Sequence, residues 1–299
     1  MTTIHLRKPT PCLVCGMPAT LEAKAVLSPW IRQIGVNRKR TSNYYHCKIC
    51  DLGFFDYRYT NLEMGYIYSD YRGAAYTHIR NQWEPWYSHD FNDAHDSISW
   101  SEMRKKSIKN FLERKLTQNP ISIVDVGGDR GQYIPNVGSE NLYVLEASNK
   151  SLLPGIERIE DLGELHQVGL IIYSHVLEHV SDPLNELKEL LNKSHCVYVE
   201  VPFGIPIINN ARRSRILFFI KFASSFYPRA WKKMTYPSTG RSRVKGILTQ
   251  SEHLNFFSVK SLEVIGEILD SSVQIEVNEI ETPDNAKAKV IQCLFVTPK

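Results

Sequence analysis

In the second half of the chain, short apolar runs alternate with amphipathic stretches, and the two periods predict strands and helices in turn. The runs "ISIVDV", "NLYVLEA", "GLIIYSH" and "CVYVEVP" are brief and rich in Val, Ile and Tyr, so they read as buried parallel strands. Between the last two, "SDPLNELKELLN" offers Ser181 or Asp182 as N-cap and Pro183 at the first helical position, with Leu184, Leu187, Leu190 and Leu191 on one face. A helix also leads into the first strand, because "SISWSEMRKKSIKNFLERKL" spaces Ile98, Met103, Ile108, Phe111, Leu112 and Leu116 at helical intervals. "FSVKSLEVIGEILDSS" predicts a later helix, and "VQIEVNEIE" and "KVIQCLFVT" predict an antiparallel pair at the sheet's end. Strand, helix, strand in this order is the pattern of a doubly wound α/β sheet.

The first half is patterned differently. "CLVCG" (Cys12 to Gly16) and "HCKICDLGFF" (His46 to Phe55) each set two thiols on a tight turn. Facing each other, Cys12, Cys15, Cys47 and Cys50 give four thiolates in a tetrahedron, which suits a closed structural Zn²⁺ site. The 31 residues between the pairs exceed the usual spacing of roughly 15 to 20, so a hairpin or longer loop must fill the gap. Disulfides and a single redox-active pair are the competing readings. A cytosolic setting disfavours the first, and the second needs only one pair in a βαβ context. His46 is either a substitute ligand or a surface histidine beside the turn. Cys196 and Cys293 lie in apolar strands and read as small core residues.

Next comes "NLEMGYIYSDYRGAAYTHIRNQWEPWYSHDF", with Tyr66, Tyr68, Tyr71, Tyr76, Trp83, Trp86 and Tyr87. These rings form either a packing seam between two units or a lid over a ligand pocket. The expected organisation is a zinc-binding head over 1–62, an aromatic and helical linker over 63–118, and a large α/β domain over 119–299.

Composition adds bounds. At 299 residues and 42% hydrophobic content the chain fills a substantial core, and no apolar run reaches the roughly 18 residues of a membrane span. "MTTIHLRKPTPC" has no apolar segment after its charges, so the expected location is the cytoplasm. The net charge of +4 is unevenly spread, for Gly204 to Leu248 holds ten basic residues and no acid.

The densest glycine cluster lies in "SIVDVGGDRGQYIP". Gly127, Gly128 and Gly131 fall between the first strand and the next element, where an open α/β sheet binds ligands beyond its strand ends. The spacing breaks the dinucleotide pattern, Asp129 would repel a pyrophosphate, and Gly-Lys-Ser/Thr is missing. A ligand with a positive centre fits Asp125 and Asp129 better. Glu146, 21 residues after Asp125, matches a carboxylate accepting from a ribose diol.

"VDVGGDRGQYI" resembles the first motif of class I S-adenosylmethionine-dependent methyltransferases, and "LIIYSHVLEHVSDP" is similar to their fourth-strand motif. Glu146 ends the second strand where that family holds the ribose hydroxyls, and the terminal antiparallel pair extends the match to roughly Asn119 to Lys299. Asp129 departs from the family's usual glycine. The resemblance implies a Rossmann-like sheet with an antiparallel last strand, S-adenosylmethionine as cofactor, and Asp125, Gly127, Asp129, Gly131, Glu146, Asp161 and His175 around it. "CxxCG … YHCxxCxLGFF" followed by "GYIYSDYRGAAY" is similar to the zinc-binding head and tyrosine-rich linker of sugar C-methyltransferases, which act on nucleotide-linked sugars.

Methyl transfer needs alignment and a group to take the acceptor's proton. Candidates are His175, Glu178 and His179 in "SHVLEH", and Glu252 and His253 in "SEHLNFF". "LEHV" also reads as a packing and capping element, and His253 as a cap on the helix after it. In the sugar C-methyltransferases the second stretch resembles Tyr-His-Glu-His, and Glu252 and His253 match its last pair. Gln250 and Ser251 do not, so the tyrosine that would steady an enolate is missing and O-methylation of a sugar hydroxyl gains ground.

The basic insertion over 204–248 has three readings: a lid on the diphosphate of a nucleotide- or lipid-linked sugar, peripheral contact with an anionic membrane through 211–245, and a nucleic-acid patch, placed in that order. A solvated basic face is the bland alternative. The leading expectation is a methyltransferase of polysaccharide or deoxysugar biosynthesis; an RNA methyltransferase and an inactive zinc-ribbon binding protein are the alternatives.

Overall fold

The computed structural model describes residues 10–35, 39–95, 97–148, 150–204, 218–219, 221–235, 248–282 and 287–298. Its N-terminal part is a sheet built around the cysteine turns: β1 (Thr10–Pro11), β2 (Pro18–Leu27), β3 (Thr41–Cys47) and β4 (Leu52–Phe55), with the short α1 (Pro29–Ile34) between β2 and β3. The long gap between the cysteine pairs is therefore the β2–α1–β3 excursion. Helices α2 (Asn61–Tyr68), α3 (Ala74–Trp83), α4 (His89–His95) and α5 (Ile98–Lys115) follow.

The second sheet contains β5 (Ile123–Val126), β6 (Leu142–Leu145), β7 (Glu157–Ile159), β8 (Leu170–Ser174) and β9 (Cys196–Pro202), all parallel to one another. Helix α6 (Pro183–Lys193) joins β8 to β9; Asp182 is its N-cap, accepting from Asn185 N, with Pro183 in the first turn as expected. Within the basic insertion α7 (Pro228–Thr235) is described. Two short strands, β10 (Leu248–Gln250) and β11 (Asn255–Phe256), then return to the N-terminal sheet, β10 parallel to β2 and β11 antiparallel to β4. The segment 119–299 thus lends two strands to the cysteine-bearing sheet. After α8 (Val259–Ile268), capped by Ser258, the chain ends in the pair β12 (Ser272–Glu281) and β13 (Lys287–Val296).

The large sheet runs β12-β13-β9-β8-β5-β6-β7, with β13 antiparallel to both its neighbours. This is the Rossmann-like doubly wound sheet with an antiparallel last strand that the resemblance to class I methyltransferases implies. The strand β7 has only three residues and no apolar run, so the sequence pattern did not reveal it. Both faces of the sheet are covered. Ile108, Phe111 and Leu112 of α5 pack on Ile123, Leu170, Ile172 and Leu294 from one side. Leu187 and Leu190 of α6 and Leu262 and Ile265 of α8 cover Val124, Ile171 and Cys293 from the other. Neighbouring residues such as Ile171 and Ile172 serve opposite faces, which is why these strands read as continuous apolar runs.

The cysteine turns belong to the second of these cores, together with Leu52, Phe54, Leu177 and Phe257. Each turn closes the same way. Gly16 N donates to Cys12 O at 3.1 Å with Gly16 at φ 70°, and Asp51 N donates to Cys47 O at 2.8 Å with Asp51 at φ 59°. The aromatic stretch forms a separate core of Tyr59, Ile67, Tyr76, Trp83 and Tyr87 against Trp30 and Trp231. Arg58 fastens the two sheets. Its guanidinium donates to the carbonyls of Phe55, Val180, Ser181 and Leu254 and to Asn255 Oδ1.

Candidate active site

At the C-terminal edge of β5 the chain turns sharply, with Gly127 at φ 73°, Asp129 at φ 53° and Gly131 at φ 78°. The left-handed region favours glycine and tolerates aspartate. Packing adds its own demand, for a Cβ on Gly128 would lie 2.4 Å from the Asp125 carboxyl carbon and one on Gly131 2.4 Å from Ile156. The turn is thereby drawn tightly over Asp125, whose side chain is 2% exposed and whose Oδ2 has no partner among the described residues. Burial, with the Glu146 charge adding to it, pushes the Asp125 carboxyl up to about 7.

Asp129, the departure from the expected glycine, is neutralised in place. Its carboxylate pairs with Lys150 Nζ at 2.9 Å and its amide donates to Glu146 Oε2 at 3.0 Å. The other Glu146 oxygen accepts from Ser148 N at 2.9 Å. Glu146 therefore shapes the loop and stands outside the residues lining the cavity. Asp161 is also apart, its carboxylate accepting from Gly163 N at 2.6 Å and capping a short turn at Leu162–Glu164.

A cavity of about 320 Å³ opens beside the glycine turn. Asp125, Gly127, Gly128 and Asp129 line one end, and His175, Glu178, His179, Glu252 and His253 the other. The sequence had separated these groups by up to 128 positions; the fold brings them around one space. The joining is done by backbone. Leu254 N and Asn255 N both donate to Glu178 O, and Asn255 Nδ2 donates to Leu177 O and Val180 O.

His175 sits directly after β8 in a left-handed conformation, φ 57°. Its Nδ1 is 3.2 Å from Glu178 Oε1 and its Nε2 3.1 Å from Glu200 Oε1. Burial and Arg104 oppose a charge on this ring, yet the two carboxylates more than reverse that, and its pKa is raised. Burial likewise opposes the charge of Glu178, but His175 and the other histidines hold its carboxyl at about 2. His179 Nδ1 lies 2.9 Å from Tyr68 Oη and 3.1 Å from the Glu252 carbonyl oxygen. A carbonyl can only accept, so Nδ1 carries a proton and donates to it, while Nε2 faces the Glu178 carboxylate at 3.8 Å. The His253 ring stands edge-on to His179 at 4.7 Å. Burial first, and then the His179 charge, lower His253 to about 4, so the ring is unprotonated near pH 7.

Glu252 is held differently. Arg80 Nη2 donates to its Oε1 at 3.0 Å, and Arg80 Nη1 and Tyr76 Oη donate to its Oε2 at 3.1 Å each. Burial opposes ionisation, but Arg80 outweighs it and the carboxyl stays at about 2. Both oxygens are occupied, so this carboxylate is not open to accept a proton itself. His253 does not cap the following helix, since Ser258 does that.

Several site residues carried no motif. Arg104, on α5, reaches under the cavity to Ser174 Oγ at 2.9 Å and to Glu200, between the rings of Trp100 and Tyr133. Glu200 is fully buried; besides Arg104 it accepts from Tyr198 Oη and Gln292 Nε2, each at 2.9 Å. Tyr71 from the aromatic stretch lines the cavity and Tyr68 touches His179, so this stretch is a packing seam and a wall of the site together. A charged residue on the apolar face of α5 was the available signal for Arg104.

The four cysteines on the N-terminal sheet form a closed donor set. Cys12 Sγ lies 3.4 Å from Cys50 Sγ and Cys15 Sγ 3.5 Å from Cys47 Sγ. A tetrahedron with Zn–S bonds of about 2.3 Å has S···S edges of about 3.8 Å, whereas a disulfide requires about 2.05 Å. The geometry fits structural zinc. His46 is not part of it, because its Nε2 bonds Asp51 Oδ1 at 2.7 Å and so steadies the second cysteine turn.

No family model matches the chain, and no curated protein matches its sequence. Among solved structures it is similar to the 1,6-didemethyltoxoflavin N1-methyltransferase of Burkholderia thailandensis, at 10% identity over 70% of this chain and 84% of that one, with a TM-score of 0.42. Magnesium protoporphyrin IX methyltransferase from Synechocystis PCC 6803 overlaps 72% of this chain and 93% of its own at 11% identity and a TM-score of 0.41. A plantazolicin methyltransferase overlaps 73% and 96% at 11% identity and a TM-score of 0.40. Similarity of this degree leaves the chemistry to be argued from the chain's own residues.

Proposed function

We propose that this chain is an S-adenosylmethionine-dependent methyltransferase acting on a nucleotide- or lipid-linked sugar. The observation that carries the reading is one cavity joining a buried carboxylate, Asp125, whose Oδ2 has no partner among the described residues, under a glycine turn to a neutral histidine, His253. A cationic ligand at the first end satisfies Asp125, and an acceptor at the second meets a base.

The glycine turn from Gly127 to Gly131 and Asp125 would hold the cofactor, with His175 at the cavity's shared edge and Glu146 bracing the loop. Bound there, S-adenosylmethionine would supply an electrophilic methyl group with a neutral thioether as leaving group. His253 takes the acceptor's proton, His179 orients the His253 ring, and the Arg80-held Glu252 stabilises the imidazolium that results. Arg104 and Glu200 fix His175 from below.

The sugar class is supported by the cysteine head, the tyrosine-rich linker and the Glu252–His253 pair, and O-methylation by the loss of tyrosine at Gln250. Gln250 is a buried structural residue here, donating to Tyr57 O at 2.8 Å. Carbon methylation is the second reading, favoured by Tyr71, which brings a phenol to the cavity from another element.

The test is calorimetric titration of S-adenosylhomocysteine into the zinc-loaded protein, followed by thermal protection with dTDP- and GDP-sugars. Micromolar binding lost in Asp125→Asn, with protection by a nucleotide sugar, supports the reading. Folded protein that binds no cofactor would point to a zinc-ribbon binding protein, and protection by RNA alone to an RNA methyltransferase.

A further inference from the structure

The basic insertion carries an aromatic face that the cavity does not use. Phe219, Phe218, Phe222 and Phe226 form a continuous ladder of rings, with centroids 5.8, 6.3 and 5.7 Å apart in that order. Its two ends are bare: Phe219 is 67% exposed and Phe226 47%, and the adjoining Tyr227 is 68% exposed. Large rings at such exposure cost solvation free energy unless something covers them.

The ladder is anchored from behind and ringed by cations. Trp231 of α7 is buried against Trp83 at 6.5 Å, and Arg32 Nη2 donates to Ser225 O at 2.9 Å, so the segment sits firmly on the aromatic core. Lys24 Nζ stands 6.0 Å over the Phe218 ring and the Arg40 guanidinium 4.2 Å over Phe226. Arg229 and Lys233 are exposed on α7, and the sequence from Phe218 to Thr235 holds no acid. Rings that seek the acyl boundary, flanked by cations that seek phosphate, are the two halves of an interfacial contact.

We infer that the face formed by Phe219, Phe226 and Tyr227 with Arg40, Arg229 and Lys233 docks on an anionic lipid bilayer. Charge complementarity selects this occupant over a neutral membrane, and the protruding rings select it over a nucleic-acid duplex, which would be met by cations alone. The face is joined to the site through α3, whose Trp83 meets Trp231 and whose Arg80 holds Glu252. Among the described residues no helix is long and apolar enough to cross a membrane, so the contact is peripheral. The inference rests on the function proposed above only in giving a lipid-linked acceptor its route to the cavity.

Vesicle flotation tests it without any methyl transfer. The full chain is floated with phosphatidylcholine vesicles alone and with phosphatidylglycerol added, beside the triple variant Phe219→Ser/Phe226→Ser/Tyr227→Ser and the pair Arg229→Glu/Lys233→Glu. Expected is binding to the anionic vesicles only, weakened at least about tenfold in each variant, and in the charge pair leaving the residual binding less sensitive to salt than the parent's. All five positions are exposed, so thermal midpoints and S-adenosylhomocysteine affinity stay unchanged in both variants. Binding of the triple variant equal to the parent, equal binding to neutral vesicles, or capture by RNA but by no vesicle overturns the inference. Failure of S-adenosylhomocysteine binding with vesicle binding intact sinks the methyltransferase reading and spares this one.

Discussion

Arg80 and Glu252 meet as a two-pronged ion pair at the boundary of the aromatic core and the cavity, Nη2 to Oε1 at 3.0 Å and Nη1 to Oε2 at 3.1 Å. Arg80 is 4% exposed, and its guanidinium also bonds Glu84 Oε2 at 2.8 Å, with the Tyr87 ring 4.0 Å beneath it. Removing one partner of such a pair leaves the other charged and desolvated, which costs about 3–5 kcal/mol. Arg80→Met is therefore expected to lower stability by that order, seen as a shifted denaturant midpoint at unchanged m-value. Glu252 is held at about 2, below its ordinary carboxylate value, so its contribution to stability is present at neutral pH and lost as pH falls from about 4.5 toward 2. In Arg80→Met that acid limb should move upward. An unaltered midpoint would show that the pair contributes nothing.

Asp125 predicts the opposite slope. Its folded pKa of about 7 lies above the ordinary carboxylate range, so between pH 4 and 7 the folded chain binds the extra proton and stability falls as pH rises. Asp125→Asn removes that slope. Its thermal midpoint at pH 8 should be no lower than the parent's, while S-adenosylhomocysteine affinity drops by tenfold or more, roughly the worth of one charge-assisted hydrogen bond. In the parent, affinity should weaken as pH falls below about 7, because only the carboxylate favours the ligand's ammonium. A variant less stable than the parent at pH 8, or cofactor affinity independent of pH, would contradict this account of the site.

His253 predicts a separation of binding from turnover. With a pKa near 4 it is already deprotonated across the neutral range, so the acid limb of turnover should not come from this ring. His253→Asn is expected to lower kcat by about 10²–10³, within the usual reach of general-base catalysis, with cofactor affinity nearly unchanged. His179→Asn should act in the same direction but less strongly, since His179 only orients its neighbour. Loss of cofactor binding in His253→Asn would place that ring in the cofactor's half of the cavity instead.

The parallel strands other than β7, the α6 cap at Asp182–Pro183, the cysteine set and the glycine turn were legible in the sequence, because each rests on local spacing. The pairing of β10 and β11 with the N-terminal sheet was not. Those strands have three and two residues, too few for a period, and they are held by long-range contacts such as Arg58 to Leu254 O. Glu252 and His253 could be picked out as chemistry, but their division of labour depends on Arg80, which lies 172 positions away and had only the character of a helix charge. Asp129 looked like a defect in the motif; Lys150 and Glu146 show it to be a satisfied turn residue.

The four cysteines share one core with Leu177, two residues before His179, and with Phe257, four after His253. Zinc removal should therefore reach the acceptor end of the cavity before the glycine turn, which hangs from β5 in the middle of the other sheet. Elemental analysis is expected to give one zinc per chain. Cys47→Ser should lose the metal and lower the thermal midpoint strongly, by an amount comparable to losing several kcal/mol of site-closing free energy. Chelation under mild denaturant should abolish turnover while S-adenosylhomocysteine affinity falls only severalfold. Full turnover in a metal-free protein would show the tetrathiolate to be dispensable, and equal loss of both activities would show that the two sheets unfold as one unit.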